Sequence, residues 1–101
     1  MNDITYIKSR LSEADLLCQL AEEAAELAQA ALKLRRVLDG TNPTPVTEDA
    51  ALASLCEEIA DVNVALDVCF GKLGLNWEDD VANIEEKKIV RWAARLREAS
   101  R

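Results

Sequence analysis

Histidine is absent from this chain, and aromatic residues are few: two tryptophans, one tyrosine and one phenylalanine. Without histidine there is no Glu-x-x-His pattern, so a ferritin-like di-iron bundle is disfavoured. The remaining soft ligands are Cys18, Cys56 and Cys69, odd in number and without C-x-x-C spacing. Such a scatter is a poor zinc site, and each cysteine is expected as a small buried residue within a helix. Positive charge is also short, with 12 Lys and Arg against 19 Asp and Glu and a net charge of −7. That balance argues against a general nucleic-acid binder or a ligand of anionic membranes, both of which need positive surface. No run approaches the roughly 18 apolar residues of a membrane span, and the opening residues MNDITYIKSR carry no apolar signal core. A cytoplasmic location is the expectation. No segment alternates apolar and polar residues as a half-buried strand would, and both prolines fall in one stretch, TNPTPVT at 41–47.

What is present is apolar and periodic. Half of the residues are hydrophobic, and one eight-residue phrase occurs twice: LAEEAAEL at 20–27 and LCEEIADV at 55–62, a shift of 35 residues or five heptads. Around the copies, Leu17, Leu20, Ala24, Leu27, Ala31, Leu34 and Leu38 repeat at a 3,4 spacing, as do Leu52, Leu55, Ile59, Val62, Leu66, Cys69 and Leu73. Both copies read as long amphipathic helices with a coiled-coil-like seam.

Capping residues place the elements. Residues 1–11 form an arm or a short helix. Ser12 opens the first long helix with a capping-box pattern, and Asp39-Gly40 closes it. The 41–47 loop breaks the chain, Thr47 caps the second long helix, and Gly71 and Gly74 bracket its end. Asn76 caps a third helix running from Trp77 to about Glu98. Its apolar stripe includes Trp77, Val81, Ile84, Ile89, Trp92 and Leu96, with Trp92 expected in the packing, and Lys87, Arg91 and Arg95 form a basic stripe. The expected fold is all-α, one domain over residues 1–101. Its centre is an antiparallel pair of long helices with a third C-terminal helix, and oligomerisation completes a four-helix-bundle-like core.

The acidic residues carry the functional signal. At about 100° per residue, Glu23 and Glu58 lie about 60° from their seams, Glu26 and Asp61 about 120° away on the same side, and Glu22 and Glu57 nearly opposite. Either acidic pair alone is an ordinary solvated helix face. Two matching pairs on paired helices bring four carboxylates to one edge, where they repel unless cations sit among them. Hard oxygen ligands of this kind suit Mg²⁺ or Mn²⁺.

Glu22-Glu23-x-x-Glu26 followed by Glu58-x-x-Asp61 resembles the EExxE…ExxD signature of the MazG-like all-α nucleoside triphosphate pyrophosphohydrolases. The resemblance covers about residues 12–97, with a Glu26-to-Glu58 gap at the long end for the family. It implies Mg²⁺-dependent hydrolysis of a nucleoside triphosphate to the monophosphate and pyrophosphate, in nucleotide-pool house-cleaning, by a homodimer or homotetramer. Glu23, Glu26, Glu58 and Asp61 would hold the metal, Glu22 or Glu57 would orient the attacking water or support the metal from outside, and Asn83, Lys87 and Arg91 would face the substrate. Phosphoribosyl-ATP pyrophosphohydrolase is an alternative in the same fold. From a different class comes a non-catalytic helical interaction protein whose acids keep a coiled-coil pair soluble; specific Mg²⁺ dependence separates it from the enzymes.

Overall fold

Local capping chemistry sets out the helices. The computed structural model describes residues 1–40 and 44–100, with only the backbone at Glu78. Thr41, Asn42 and Pro43 of the expected 41–47 loop therefore lie outside the described residues, as does Arg101. Among the described residues four α-helices follow in order: α1 Asp3–Arg10, α2 Glu13–Asp39, α3 Glu48–Leu73 and α4 Asn83–Ala99, with a π-helical segment, Trp77–Ala82, leading into the last. Among the described residues there is no strand. The Ser12 hydroxyl accepts from the Asp15 N–H at 3.1 Å and the Asp15 carboxylate accepts from the Ser12 N–H at 3.4 Å. The two bonds make a reciprocal capping box. Thr47 Oγ1 accepts from the Ala50 N–H at 3.1 Å, and α2 and α3 both end on a left-handed glycine, Gly40 at φ 67° and Gly74 at φ 70°. Only glycine adopts that conformation without strain.

The two long helices run antiparallel. Residues that share contacts or cavities pair early positions of α2 with late positions of α3: the Cys69 thiol donates to the Leu16 carbonyl at 3.4 Å, Glu23 shares a cavity with Asp61, and Glu26 shares one with Glu58. The 35-residue repeat is thereby folded about a local pseudo-two-fold axis, which exchanges Glu23 with Glu58 and Glu26 with Asp61.

The packed face differs from the expected seam. Leu16, Ala30, Ala51, Ala65, Val68 and Cys69 are buried, while Leu17, Leu38, Leu52 and Ile59 are exposed. Leu20, Leu27, Leu34, Leu55 and Val62 are half-buried and belong to both descriptions. The contact has rotated by about half a residue step toward the acids. The apolar stripe on each helix is wide enough for two overlapping seams, and the helices meet along the flank nearer the acids. Small residues at Ala30, Ala51 and Ala65 permit close backbone approach, and the bulkier leucines are left outside. Cys18 and Cys56, expected in the core, are also exposed; only Cys69 is buried. Burial raises the Cys69 thiol pKa, which keeps it protonated and unreactive.

Residues 1–11 form a helix rather than an arm. Ile7 of α1 packs against the cluster of Leu16, Val68 and Cys69, and Lys72 Nζ donates to the Lys8 carbonyl at 3.0 Å. The C-terminal helix departs further from expectation. Asn76 does cap it, accepting from the Asp79 N–H at 3.1 Å, but the first turn is π-wound, with the Asn76 carbonyl accepting from both Asp80 and Val81. Trp77 is held by an edge-on contact with Phe70, ring centroids 5.3 Å apart. Beyond it, among the described residues, α4 runs on directly from the π-helical segment without packing along α2 or α3. Ile84, Ile89, Trp92 and Leu96 are all more than half exposed, so Trp92 is not in the packing of the single chain. The radius of gyration is 17.5 Å, against about 13 Å for a compact chain of this length. The reason is that α2 and α3 pack on each other and α4 finds no third face within the chain.

Candidate metal centre

Spacing of three residues places Glu23 and Glu26 on adjacent turns of α2, and Glu58 and Asp61 likewise on α3. Antiparallel packing then brings the two pairs together. One carboxylate oxygen from each of Glu23, Glu26, Glu58 and Asp61 lies within 4.8 Å of all the others. Rotation of the packed face sets Glu23 and Glu58 between the half-buried leucines, whereas Glu26 and Asp61 are exposed at the edge.

Two oxygens in this group stand out. Glu23 Oε1 accepts from Gln19 Nε2 at 2.7 Å, but Glu23 Oε2 and Glu58 Oε2 are shielded from solvent and have no hydrogen-bond partner. Buried polar atoms are nearly always satisfied, and an orphan calls for a missing donor or ion. Desolvation, followed by the negative charges of Glu26 and Asp61, raises the Glu23 pKa above its ordinary value; the Gln19 hydrogen bond opposes this. Four carboxylates, two of which carry an orphaned oxygen, in a field of like charge fit a divalent cation such as Mg²⁺ or Mn²⁺. They do not fit metals that require imidazole or thiolate.

This strain has a pH signature. Between the ordinary and the raised Glu23 pKa the folded chain binds more proton than the unfolded one, so its stability contribution falls as pH rises through that interval. The metal-free chain should therefore lose melting temperature from this group as pH rises above the ordinary carboxylate range, and saturating Mg²⁺ should shrink the loss. Thermal melts with EDTA and with Mg²⁺ check this; the same pH dependence in both would count against a cation among these carboxylates.

The other residues singled out in the sequence fall elsewhere. Glu22 and Glu57 are exposed and stand outside the four-carboxylate group. Asn83, Lys87 and Arg91 line an open depression of about 570 Å³ on α4 with Glu86, Val90 and Ala94, to which none of the four acids contributes. Asn83 Nδ2 donates to the Asp79 carbonyl at 3.0 Å. The single chain does not bring these three residues to the acids.

Residues that sequence reasoning passed over sit closer. A cavity of about 590 Å³ beside the centre is lined by Glu26 and Glu58 together with Gln29, Lys33, Arg36 and Ser54. On the other side, a cavity of about 270 Å³ is lined by Glu23 and Asp61 together with Gln19, Leu11 and Val64. Their signal was helical spacing from the acids: Gln19 lies four residues before Glu23, and Lys33 lies seven after Glu26. Comparison with protein-family models, with curated proteins and with solved structures finds no match to this chain.

Proposed function

We propose that the chain hydrolyses a nucleoside triphosphate to the monophosphate and pyrophosphate, with Glu23, Glu26, Glu58 and Asp61 holding Mg²⁺, as in the MazG-like pyrophosphohydrolases whose EExxE…ExxD motif it resembles. The observation that carries this reading is the pair of buried, unpartnered oxygens on Glu23 and Glu58 within a group of four carboxylates. A solvated acidic face has no reason to bury an oxygen without a donor. When bound, Mg²⁺ would neutralise phosphate oxygens and make a water molecule more acidic.

The work of the chain's own residues is then positional. Glu23 is fixed by Gln19 and Glu58 by the helix contact, so the inner pair forms a rigid floor, while the exposed Glu26 and Asp61 close from the rim. In the reaction, the water oxygen bonds to the α-phosphorus and the bond from that phosphorus to the α,β-bridging oxygen breaks. Pyrophosphate leaves with the bridging oxygen and its electron pair, and the water proton passes to a carboxylate and then to solvent. Glu22 and Glu57, exposed and adjacent in sequence to the inner pair, are the proposed partners of that water.

A homodimer or homotetramer is part of the proposal. The outer seam of the hairpin (Leu17, Leu38, Leu52, Ile59) and the apolar positions of α4 are exposed together, and pairing two hairpins into a four-helix core would cover them. Such an assembly is also the setting in which Asn83, Lys87 and Arg91 would meet substrate. Hydrolysis in ¹⁸O-labelled water tests the chemistry: label in the monophosphate is expected, and label in the pyrophosphate would place attack on the wrong phosphorus.

A further inference from the structure

The two cavities that flank the acidic centre are the same piece of architecture occurring twice. A shift of 35 residues carries Glu26 onto Asp61, Ala30 onto Ala65 and Glu23 onto Glu58, and each cavity is lined by one member of every pair. On this repeated frame the side chains diverge, and two of the differences set the character of each cavity. Gln29 and Lys33 line the larger cavity where Val64 and Val68 line the smaller one.

The valine side is used for packing. Val68 is 3 % exposed, joins Leu16 and Cys69 in the core, and is covered by Ile7 of α1. Among the described residues the lysine side has no such cover. Arg36 adds a second cation there, at the place where the repeat has Gly71. Lys33 and Arg36 are both half-buried, and among the described residues neither has an ion-pair partner. Half-burial without a counter-ion is unfavourable for two neighbouring cations unless an anion is to be bound between them. They lie about 10 and 15 Å along the helix axis from Glu26, and helical side chains lean toward the N-terminus, here toward the acids. A cavity of about 590 Å³ is within the usual range for a small-molecule site.

We propose that this cavity receives the phosphates that leave as pyrophosphate, with Lys33 and Arg36 as their ligands. The assignment rests on the pyrophosphohydrolase reading and gives the substrate a direction: the α-phosphorus lies at the four carboxylates and the β- and γ-phosphates point along α2 toward Arg36. When the bond between the α-phosphorus and the bridging oxygen breaks, the electron pair stays on the pyrophosphate, and two fixed cations beside it offset the charge that develops.

The test is calorimetric binding of inorganic pyrophosphate in Mg²⁺ buffer to the full chain and to Lys33→Met, Arg36→Met and Lys33→Arg, with triphosphate turnover measured on the same samples. Each methionine variant keeps the apolar stem and loses the charge. Each should bind pyrophosphate about tenfold more weakly or worse, with kcat/KM reduced alongside and Mg²⁺ binding alone retained, and Lys33→Arg should restore most of the loss. A wild type that hydrolyses triphosphates while both methionine variants bind pyrophosphate as tightly as it does would overturn the assignment and leave the enzymatic reading intact. A wild type without turnover whose pyrophosphate binding still depends on Lys33 and Arg36 would do the reverse. Absence of both turnover and pyrophosphate binding would remove both.

Discussion

Glu58→Gln should abolish pyrophosphate release, by about 100-fold or more, without lowering the stability of the metal-free chain. Groups that merely support a metal ligand cost 10- to 100-fold on removal, so a proposed ligand with a buried oxygen at the centre of the group should cost at least the upper figure. Stability should move the other way. In the metal-free chain Glu58 adds negative charge to a group of four carboxylates, and its own Oε2 is buried without a partner. Glutamine keeps the shape, removes the charge and brings an N–H donor to the acids around it. Melting in EDTA should therefore occur at or above the wild-type temperature, and the rise produced by Mg²⁺ in wild type should be lost. A residue that serves only the fold behaves differently: its removal lowers stability whether or not metal is present. Loss of melting temperature in EDTA together with retained turnover would assign Glu58 to packing.

The second large effect concerns assembly. Ile89 is 65 % exposed and Trp92 63 % exposed in the single chain, so replacing both with glutamate should cost the isolated fold within about 0.5 kcal/mol each. If these residues cover a second copy, the same change should weaken association by about 100-fold or more, since a buried tryptophan commonly dominates an interface. Sedimentation equilibrium of wild type and of the Ile89→Glu/Trp92→Glu double variant reads this. The expected outcome is a wild-type dimer or tetramer, a variant monomer and unchanged helical circular dichroism. A monomeric wild type, or a variant with the wild-type mass, would remove the role of α4 in assembly.

Local chemistry was legible in the sequence. Ser12, Gly40, Thr47, Gly74 and Asn76 act through bonds to residues within a turn of themselves, and the helices begin and end where those residues stand. The meeting of Glu23, Glu26, Glu58 and Asp61 was legible too, because an i,i+3 pair stated twice on the same side of the apolar stripe converges when the two helices pack antiparallel along that stripe. What was not legible depends on choices between alternatives of similar local merit. Both seams of α2 share Leu20, Leu27 and Leu34, and the choice between Leu16 and Leu17 as the buried residue is made by how α2 fits against α3. Cys18 and Cys56 fell outside for the same reason. Lys33 and Arg36 were passed over in the sequence, because their setting depends on the register that puts Glu26 opposite Glu58 beside a cavity. Trp92 read as core because its stripe is apolar, but a stripe says that a surface should be covered and not by which chain.

The measurement closest to the central claim is pyrophosphate release from a panel of ribo- and deoxyribonucleoside triphosphates, with phosphoribosyl-ATP included, in Mg²⁺ and in EDTA. The account predicts release from at least one member in Mg²⁺, none in EDTA, and none from Glu58→Gln or Asp61→Asn in either. No release from any member, with a melting temperature that Mg²⁺ does not move, would contradict it and leave the four carboxylates as the charged edge of a helical interaction protein.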